Sequence, residues 1–151
     1  MTDPRAVFDD LVRFETVLWG DIDDRLRREC AVSLGSVNVM MVIDGTPQCR
    51  VYDIAQALAI TVGGTSQAVD RLEAAGRCAR RANPADRRSS IVELTAAGAA
   101  LLGAALVVFD DELDRLIRAP LSATALAHLG AALHTVRHSA TRKDVKQTKL
   151  H

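Results

Sequence analysis

Cysteine, aromatic residues and long apolar runs are all scarce in this chain of 151 residues. Its three cysteines, Cys30, Cys49 and Cys78, lie far apart and form no CxxC pair, which argues against a disulfide framework and against a structural zinc site. The apolar run at residues 37–43 contains an asparagine and is far too short to span a membrane. The N-terminus is acidic and polar, whereas a secretory signal needs a basic and then an apolar run. We therefore expect a soluble, cytoplasmic protein.

The sequence also lacks a recognisable catalytic constellation. No Ser/His/Asp or Cys/His set, phosphate-cradling glycine loop or pair of carboxylates at a useful spacing stands out. His134 and His138 are four residues apart, a spacing that can place two metal ligands on one helical face, but no third ligand accompanies them. A solvated helix end is the commoner explanation for such a pair. The sequence therefore predicts no enzyme, no metal site and no cofactor.

Charge is balanced over the whole chain but unevenly distributed along it. The formal net charge is zero, which by itself is untypical of a nucleic-acid-binding protein. Between residues 61 and 88, however, six arginines stand against three acidic residues, whereas between residues 2 and 24 seven acidic residues stand against two arginines. A protein polarised in this way can present a basic surface to phosphates while its other end stays acidic.

Hydrophobic periodicity and turn residues predict six helices and one β-hairpin. The predicted helices cover about residues 4–29, 34–43, 51–59, 62–75, 96–118 and 123 onwards, with a short strand at 48–50 and hairpin strands at 78–83 and 90–94. Two short helices joined by a tight turn at Ile60-Thr61 and followed by a hairpin are typical of a winged helix-turn-helix. In that motif the second helix enters the major groove of DNA.

Two groups of residues are the candidates for contacting DNA. The fourth helix opens with short hydroxyl side chains and an amide, which suit phosphate and base recognition, and its N-terminus presents free N–H groups. At the hairpin tip, Arg87 and Arg88 can enter a narrow A·T-rich minor groove, with Arg80 and Arg81 adding positive charge nearby. The candidate DNA-binding residues are Thr61, Val62, Gly63, Thr65, Ser66, Gln67, Arg71, Arg87 and Arg88.

The same helix has an expected inner and outer side. Val69 and Leu72 should face the core, which leaves Thr65 on the exposed side with the other candidates. Gly63-Gly64 is an unusual opening, since each glycine in a helix costs roughly 1 kcal/mol relative to alanine. It indicates either a close approach of the backbone to DNA or a weak first turn that orders on binding.

The segments VDRLEAAG (69–76) and NPADRRSSIVELTAAG (83–98) together resemble the signature of the MarR family of bacterial regulators. The wing pattern Asp-x-Arg, three residues, Val-x-Leu-Thr is met at every fixed position, and helix order extends the resemblance to about residues 5–140. One departure is Gln67, where such proteins often have arginine. DNA specificity therefore does not transfer from the family to this chain.

The resemblance implies a mainly α fold with a small β-wing, organised as one MarR-like domain over residues 1–151. Within it, residues 48–95 would form the DNA-binding lobe, 4–30 and 96–140 the dimerisation helices, and 141–151 a basic tail. It further implies a homodimeric repressor that binds a pseudo-palindromic operator in the bacterial cytoplasm, at the nucleoid. Arg88, with Arg87 beside it, would be the minor-groove finger.

Regulation in the family suggests where an effector would bind. Members often release DNA when a small aromatic or amphipathic compound fills the cleft between the dimerisation helices and the DNA-binding lobe. The candidate lining residues here are Phe14, Trp19, Met40 and Met41. Two alternatives remain open: a cysteine-based redox-sensing regulator, and a winged-helix protein-interaction module that does not bind DNA.

Overall fold

A computed structural model describes the backbone of residues 1–147 and the side chains of residues 1–140. This part of the chain is mainly helical, with one two-stranded antiparallel sheet, which confirms the predicted fold class. The helices are α1 (Pro4–Cys30), α2 (Leu34–Gly45), α3 (Val51–Leu58), α4 (Val62–Ala74), α5 (Ala96–Leu113) and α6 (Ala123–Gln147), and the strands are β1 (Cys78–Ala82) and β2 (Ser90–Leu94).

Short polar side chains begin the helices where the sequence predicts them. The Asp3 carboxylate accepts a hydrogen bond from Arg5 N–H at 3.0 Å, and Pro4 fits the first turn of α1 because a helix leaves that N–H unbonded. The Ser33 hydroxyl accepts from Ser36 N–H at 3.1 Å, while the Asp23 carboxylate reaches from α1 to accept the Leu34 N–H at 2.7 Å. The start of α2 is therefore tied to α1 as well as capped locally.

Residues 1–110 form one compact unit around an apolar core. Each of its main elements contributes a side chain that is completely or almost completely buried, because each presents one apolar stripe to the others. These side chains are Leu26 from α1, Met40 from α2, Ile54 from α3, Val69 from α4 and Ile91 from β2.

The residues from 111 onwards form a second compact unit. A π-helical turn, Asp114–Arg118, follows α5 and contacts α6. The expectation of a single helix from about 96 to 118 is therefore wrong in its last part, where the α-helical hydrogen bonds end at Leu113. Helix α6 continues to Gln147, into the segment expected as a basic tail, and residues 148–151 lie outside the described part.

The strand expected at residues 48–50 does not form, which is a second correction. Gln48 has a positive φ of 51°, outside the region of a regular β-strand, and it lies with Pro47 in a turn. One backbone hydrogen bond to the hairpin is nevertheless present: the Cys49 carbonyl accepts the Val92 N–H at 2.7 Å. That bond joins the segment before α3 to the outer edge of β2.

The hairpin is closed at its base by the threonine and glycine that follow β2. The Thr95 hydroxyl donates to the Gly76 carbonyl at 2.6 Å and accepts from Gly98 N–H at 3.0 Å. A Cβ atom on Gly98 would lie 1.8 Å from the Arg77 carbonyl oxygen, so only glycine allows this approach of α5 to the chain before β1. Gly76 itself has φ +71°, as expected for the residue that ends α4.

None of the helices described within residues 1–147 combines the length and the apolar content that crossing a membrane requires.

Candidate nucleic-acid interface

The first turn of α4 is organised by Thr61, the residue that precedes it. The Thr61 hydroxyl accepts a hydrogen bond from Gly64 N–H at 3.1 Å, and its backbone is extended, as a helix N-cap requires. Its carbonyl accepts from the Thr65 N–H at 3.0 Å and from the Thr65 hydroxyl at 2.8 Å. The side chain of Thr61 is thus engaged in capping, which orders the beginning of the helix within this chain alone.

One side of α4 is left open to solvent. Val69 and Leu72 face the core, as predicted, with exposures of 0% and 5%. Val62 is 53% exposed, and Gln67 and Arg71 are exposed one helical turn apart, while Ser66 is half-buried. Because residues four apart lie on the same helical face, Gln67 and Arg71 form a continuous polar strip.

Thr65 does not belong to that exposed side, contrary to the expectation. Its side chain is fully buried, and its hydroxyl donates to the Thr61 carbonyl. The reason is helical spacing: Thr65 lies one turn before Val69 and therefore shares its inward stripe. Because the hydroxyl is hydrogen-bonded to the preceding turn of the helix, the methyl group can pack in the core without leaving a buried polar atom unbonded.

The two glycines at the start of α4 differ in their surroundings. A Cβ on Gly64 would lie 3.0 Å from the Thr61 capping hydroxyl, so a larger residue there would crowd the cap. A Cβ on Gly63 would meet no atom within 4 Å. The cap explains Gly64, whereas no contact in the described chain explains Gly63.

The wing tip is a tight loop held by Asn83. Its side-chain oxygen accepts a hydrogen bond from Ala85 N–H and its amide donates to the Ser89 hydroxyl, both at 3.0 Å. The Asp86 carboxylate accepts the Arg88 N–H at 3.0 Å, which is the turn-forming role expected of it. Among the side chains that the structure describes, those of Arg87 and Arg88 are exposed and form no ion pair.

The arginines at the wing base are engaged very differently. Arg81 pairs with Glu93 across the hairpin at 2.8 Å. Arg80 reaches α4, where its guanidinium contacts Asp70 at 2.7 Å and Glu73 at 3.2 Å. Sequence reasoning counted both arginines as additional positive charge for DNA, but each is neutralised by carboxylates of the chain itself.

A cleft of about 900 Å³ adjoins the back of α4. Residues of α1, α2 and α4 line it, with further contributions from the segments after α3 and α4 and from α5. The side chains that give it chemical character are Trp19, Arg27, Asn38, Arg71 and Arg77. Arg27 is paired with Asp23 at 2.7 Å, so Arg71 and Arg77 are the cations available to a ligand in this part of the chain.

Only one of the four predicted pocket residues lines this cleft. Trp19 does so and is 46% exposed. Met40 is fully buried in the core because it lies on the inner stripe of α2, while Phe14 and Met41 are each 38% exposed elsewhere. The sequence did not identify the arginines of the cleft, since Arg71 and Arg77 line the same cleft as Trp19 only because α1 and α4 both pack against α2.

Two of the three cysteines, Cys49 and Cys78, offer little nucleophilic character. Burial, together with the nearby Asp53 carboxylate, raises the pKa of the Cys49 thiol to about 11. Burial also raises the pKa of Cys78, with a smaller contribution from Glu73. Cys30 is half-buried at the end of α1. Within the described residues, no group of three or more potential ligands could hold a metal ion.

Comparison with known proteins places this geometry in a family. The MarR family model matches residues 32–90, which run from the loop before α2 to the start of β2. An uncharacterized HTH-type transcriptional regulator of Bacillus subtilis, YfiV, is 30% identical over 76 residues, a match that spans 50% of this chain and 46% of that protein.

Solved structures share the fold over most of the chain. Sco3205, a MarR family transcriptional regulator from Streptomyces coelicolor solved in complex with DNA, superposes with a TM-score of 0.83 at 23% identity, covering 89% of this chain and 86% of that one. The transcriptional repressor CouR, bound to a 23-mer DNA duplex, gives a TM-score of 0.77 at 25% identity and coverages of 84% and 89%. CouR from Rhodococcus jostii has also been solved with p-coumaroyl-CoA. Residues 32–90 therefore match the MarR family, and over most of its length the chain shares the winged helix-turn-helix fold of solved MarR family transcriptional regulators.

Proposed function

We propose that this protein is a homodimeric repressor that binds a pseudo-palindromic operator and releases it when a small molecule binds. In each protomer the N-terminal part of α4 enters the major groove and the wing tip reaches the minor groove. The observation that carries the proposal is the pair Arg87 and Arg88, which lie exposed on a loop braced by Asn83 and form no ion pair with any side chain of residues 1–140. A rigid cationic tip of this kind suits the negative potential of a narrow minor groove.

The exposed side of α4 supplies groups that can read bases. Gln67 can bond bidentately to adenine, Val62 can contact a thymine methyl group, and Ser66 can bond to a phosphate or a base edge. Gly63 has open space in place of a side chain, which lets a DNA strand approach the helix backbone. Buried Thr65 takes no part in this contact.

Exposed apolar side chains support a dimer. The first half of α1 carries a dense set of them, more than a monomer usually leaves open to water. They are Val7, Phe8, Leu11, Val12, Phe14 and Val17. In the second unit, α6 exposes three more, Leu129, Leu133 and Val136. Light scattering at micromolar concentration should give twice the chain mass, and a strictly monomeric mass would overturn the homodimer.

The cleft beside α4 is the proposed effector site, and its chemistry favours an anionic aromatic ligand. Trp19 offers a surface for an aromatic ring, while Arg71 and Arg77 can pair with a carboxylate or phosphate. CouR, which shares the fold, has been solved with an aromatic acyl-CoA. Since Arg71 lies on α4 itself, a ligand bound there would change the position of the DNA-reading helix.

Calorimetric titration with p-coumarate and p-coumaroyl-CoA tests this site. Trp19→Ala and Arg77→Gln should each weaken binding of any such ligand, whereas Arg13→Gln, remote from the cleft lining, should not. Equal ligand affinity in all three variants would exclude the cleft.

DNA binding itself is tested by replacing Arg87 and Arg88 together with alanine. In a gel-shift titration the wild-type protein should bind a fragment of its own promoter, and the double variant should bind roughly 10- to 100-fold more weakly. The slope of the logarithm of the binding constant against the logarithm of the salt concentration (the salt slope) should be smaller by about two, because two phosphate-neutralising charges are lost. Arg5→Ala/Arg13→Ala is the matched control, since it removes the same charge from the acidic α1. A wild-type protein that binds no promoter DNA at moderate salt would instead support a protein-interaction module.

A further inference from the structure

Two carboxylates lie on the DNA-reading helix itself, where they should oppose binding. Asp70 and Glu73 are three residues apart on α4, and their side chains are 63% and 43% exposed. Asp70 directly precedes Arg71 and lies less than one turn beyond Gln67, so it borders the exposed polar strip. An unpaired carboxylate at that place would repel the phosphates of a bound duplex.

Arg80 on β1 engages both carboxylates. Its guanidinium contacts Asp70 Oδ1 at 2.7 Å and Glu73 Oε1 at 3.2 Å, and its backbone N–H donates to the second Glu73 oxygen at 2.9 Å. The Arg80 side chain is only 22% exposed, so it is less hydrated than the arginines of the wing tip. The planar guanidinium can serve two acceptors at once, which a lysine ammonium cannot do in the same geometry.

The backbone around this cluster holds the three side chains in place. Arg77 N–H donates to the Leu72 carbonyl at 2.8 Å, and the Cys78 thiol lies 3.7 Å from the Val69 carbonyl. The start of β1 is therefore joined to the last turns of α4 by contacts that do not involve charge. Arg80 then needs little further ordering to reach both carboxylates, which keeps the entropic cost of these ion pairs low.

We propose that Arg80 is a positioning residue for DNA binding: it masks the negative charge of Asp70 and Glu73 and fixes the wing strand against the recognition helix. Arg80 contacts no base or phosphate in this role. It acts through the two carboxylates, which it keeps turned away from the duplex. The inference rests on the proposed DNA-binding function and adds a residue that the wing-tip arginines do not account for.

The experiment compares Arg80→Ala with Arg81→Ala in operator titrations of the full chain. The two substitutions lie on the same strand and remove the same charge, but Arg81 pairs with Glu93 rather than with α4. Arg80→Ala should weaken binding about tenfold, and Arg81→Ala less than about threefold, because only the first exposes carboxylates beside the DNA. Equal losses for the two variants, with wild-type binding intact, would overturn the role of Arg80 but leave the proposed function standing.

A rescue variant separates charge masking from loss of folding. Arg80→Ala combined with Asp70→Asn and Glu73→Gln should bind more tightly than Arg80→Ala, since no unpaired carboxylate remains, but more weakly than wild type, since the link between wing and helix is still absent. A triple variant that binds no better than Arg80→Ala would overturn the proposal. Thermal melts accompany each titration, and if Arg80→Ala does not fold, Arg80→Lys is used instead. Arg80→Lys should bind the operator more weakly than wild type, because an ammonium group cannot serve both carboxylates in the same geometry. Wild-type affinity for Arg80→Lys would contradict the need for a guanidinium that serves two acceptors.

Discussion

The base and the tip of the wing are both rich in arginine, yet the structure uses them in opposite ways. At the base, Arg80 and Arg81 are bound to carboxylates of α4 and β2. At the tip, Arg87 and Arg88 are exposed and unpaired among the described side chains. Within one hairpin, the arginines at the base thus form ion pairs inside the chain, whereas those at the tip form an exposed cationic surface.

Strand register explains the difference. In the hairpin, Arg81 lies opposite Ile91 and Ala79 opposite Glu93, so Arg81 and Glu93 are diagonal neighbours on one face of the sheet. Arg80 lies opposite the buried Val92 and therefore points to the other face, where α4 packs. The tip has no opposing strand, and within residues 1–140 its arginines meet no carboxylate partner. Charge counting along the sequence cannot make this distinction.

The largest expected effect is at the base, on folding. Gly98→Ala would place a Cβ 1.8 Å from the Arg77 carbonyl oxygen, and because that atom is backbone, α5 or the start of β1 must move. We expect the free energy of unfolding to fall by about 3 kcal/mol or more, measured by urea denaturation.

A second glycine provides the control for that substitution. Gly103 lies on α5 with no atom within 4 Å of its Cβ position, so Gly103→Ala should stabilise the protein by up to about 1 kcal/mol. If Gly98→Ala were as stable as Gly103→Ala, the base would not be the closely packed junction described above.

An intermediate effect is expected where tip and base meet. Asn83 is only 9% exposed, and Asn83→Ala would remove the hydrogen bonds to Ala85 N–H and Ser89. The free energy of unfolding should fall by about 1–2 kcal/mol. Operator affinity should fall as well, because the arginines are then held less rigidly, while the salt slope stays that of wild type since no charge is lost.

Wild-type stability together with wild-type operator affinity in Asn83→Ala would show that Asn83 does not hold the tip.

The smallest effect concerns the thiols near the base. Cys49, whose carbonyl bonds to β2, is 1% exposed and has its pKa raised from 9.0 to about 11. At pH 8, iodoacetamide should therefore modify the half-buried Cys30 before Cys49 and Cys78, as followed by mass spectrometry. Fast labelling of Cys49 in the folded protein would show that the segment before α3 opens readily.

The same thiol makes stability depend on alkaline pH. Because the folded state raises the pKa of Cys49, the folded protein binds the proton more tightly than the unfolded chain does. Its contribution to stability is complete below about pH 9 and is lost as the pH rises towards 11. Cys49→Ala should reduce that alkaline loss in denaturant titrations.

Much of the fold was predictable because its signals are local. The helix starts depend on caps at Asp3, Ser33 and Thr61, and the end of α4 depends on Gly76, so each boundary is set by residues close in sequence. The prediction of a strand at 48–50 was wrong because Gln48 has a positive φ, which interrupts the extended backbone there. Sequence periodicity does not report the φ angle of a single non-glycine residue.

The candidate site was predictable only in outline. The arginines of the tip and the open side of α4 follow from a turn and a helical period. Thr65 was misplaced because its polar side chain suggested exposure, whereas the local bond to Thr61 lets it pack in the core. The arginines of the cleft beside α4 were missed for a different reason: they come from separate segments that only packing brings to the same cleft as Trp19.

By itself, the sequence determined the order of the helices, the caps that begin them, the hairpin and the arginines at its tip, since each depends on residues only a few positions apart. Tertiary structure alone decided which arginines are free and which are paired. Arg80 meets Asp70 and Glu73 across ten and seven residues, and it does so because α4, the turn at Gly76 and β1 pack together. Whether an arginine is paired or exposed depends on which residues lie beside it in space, and tertiary packing determines those neighbours.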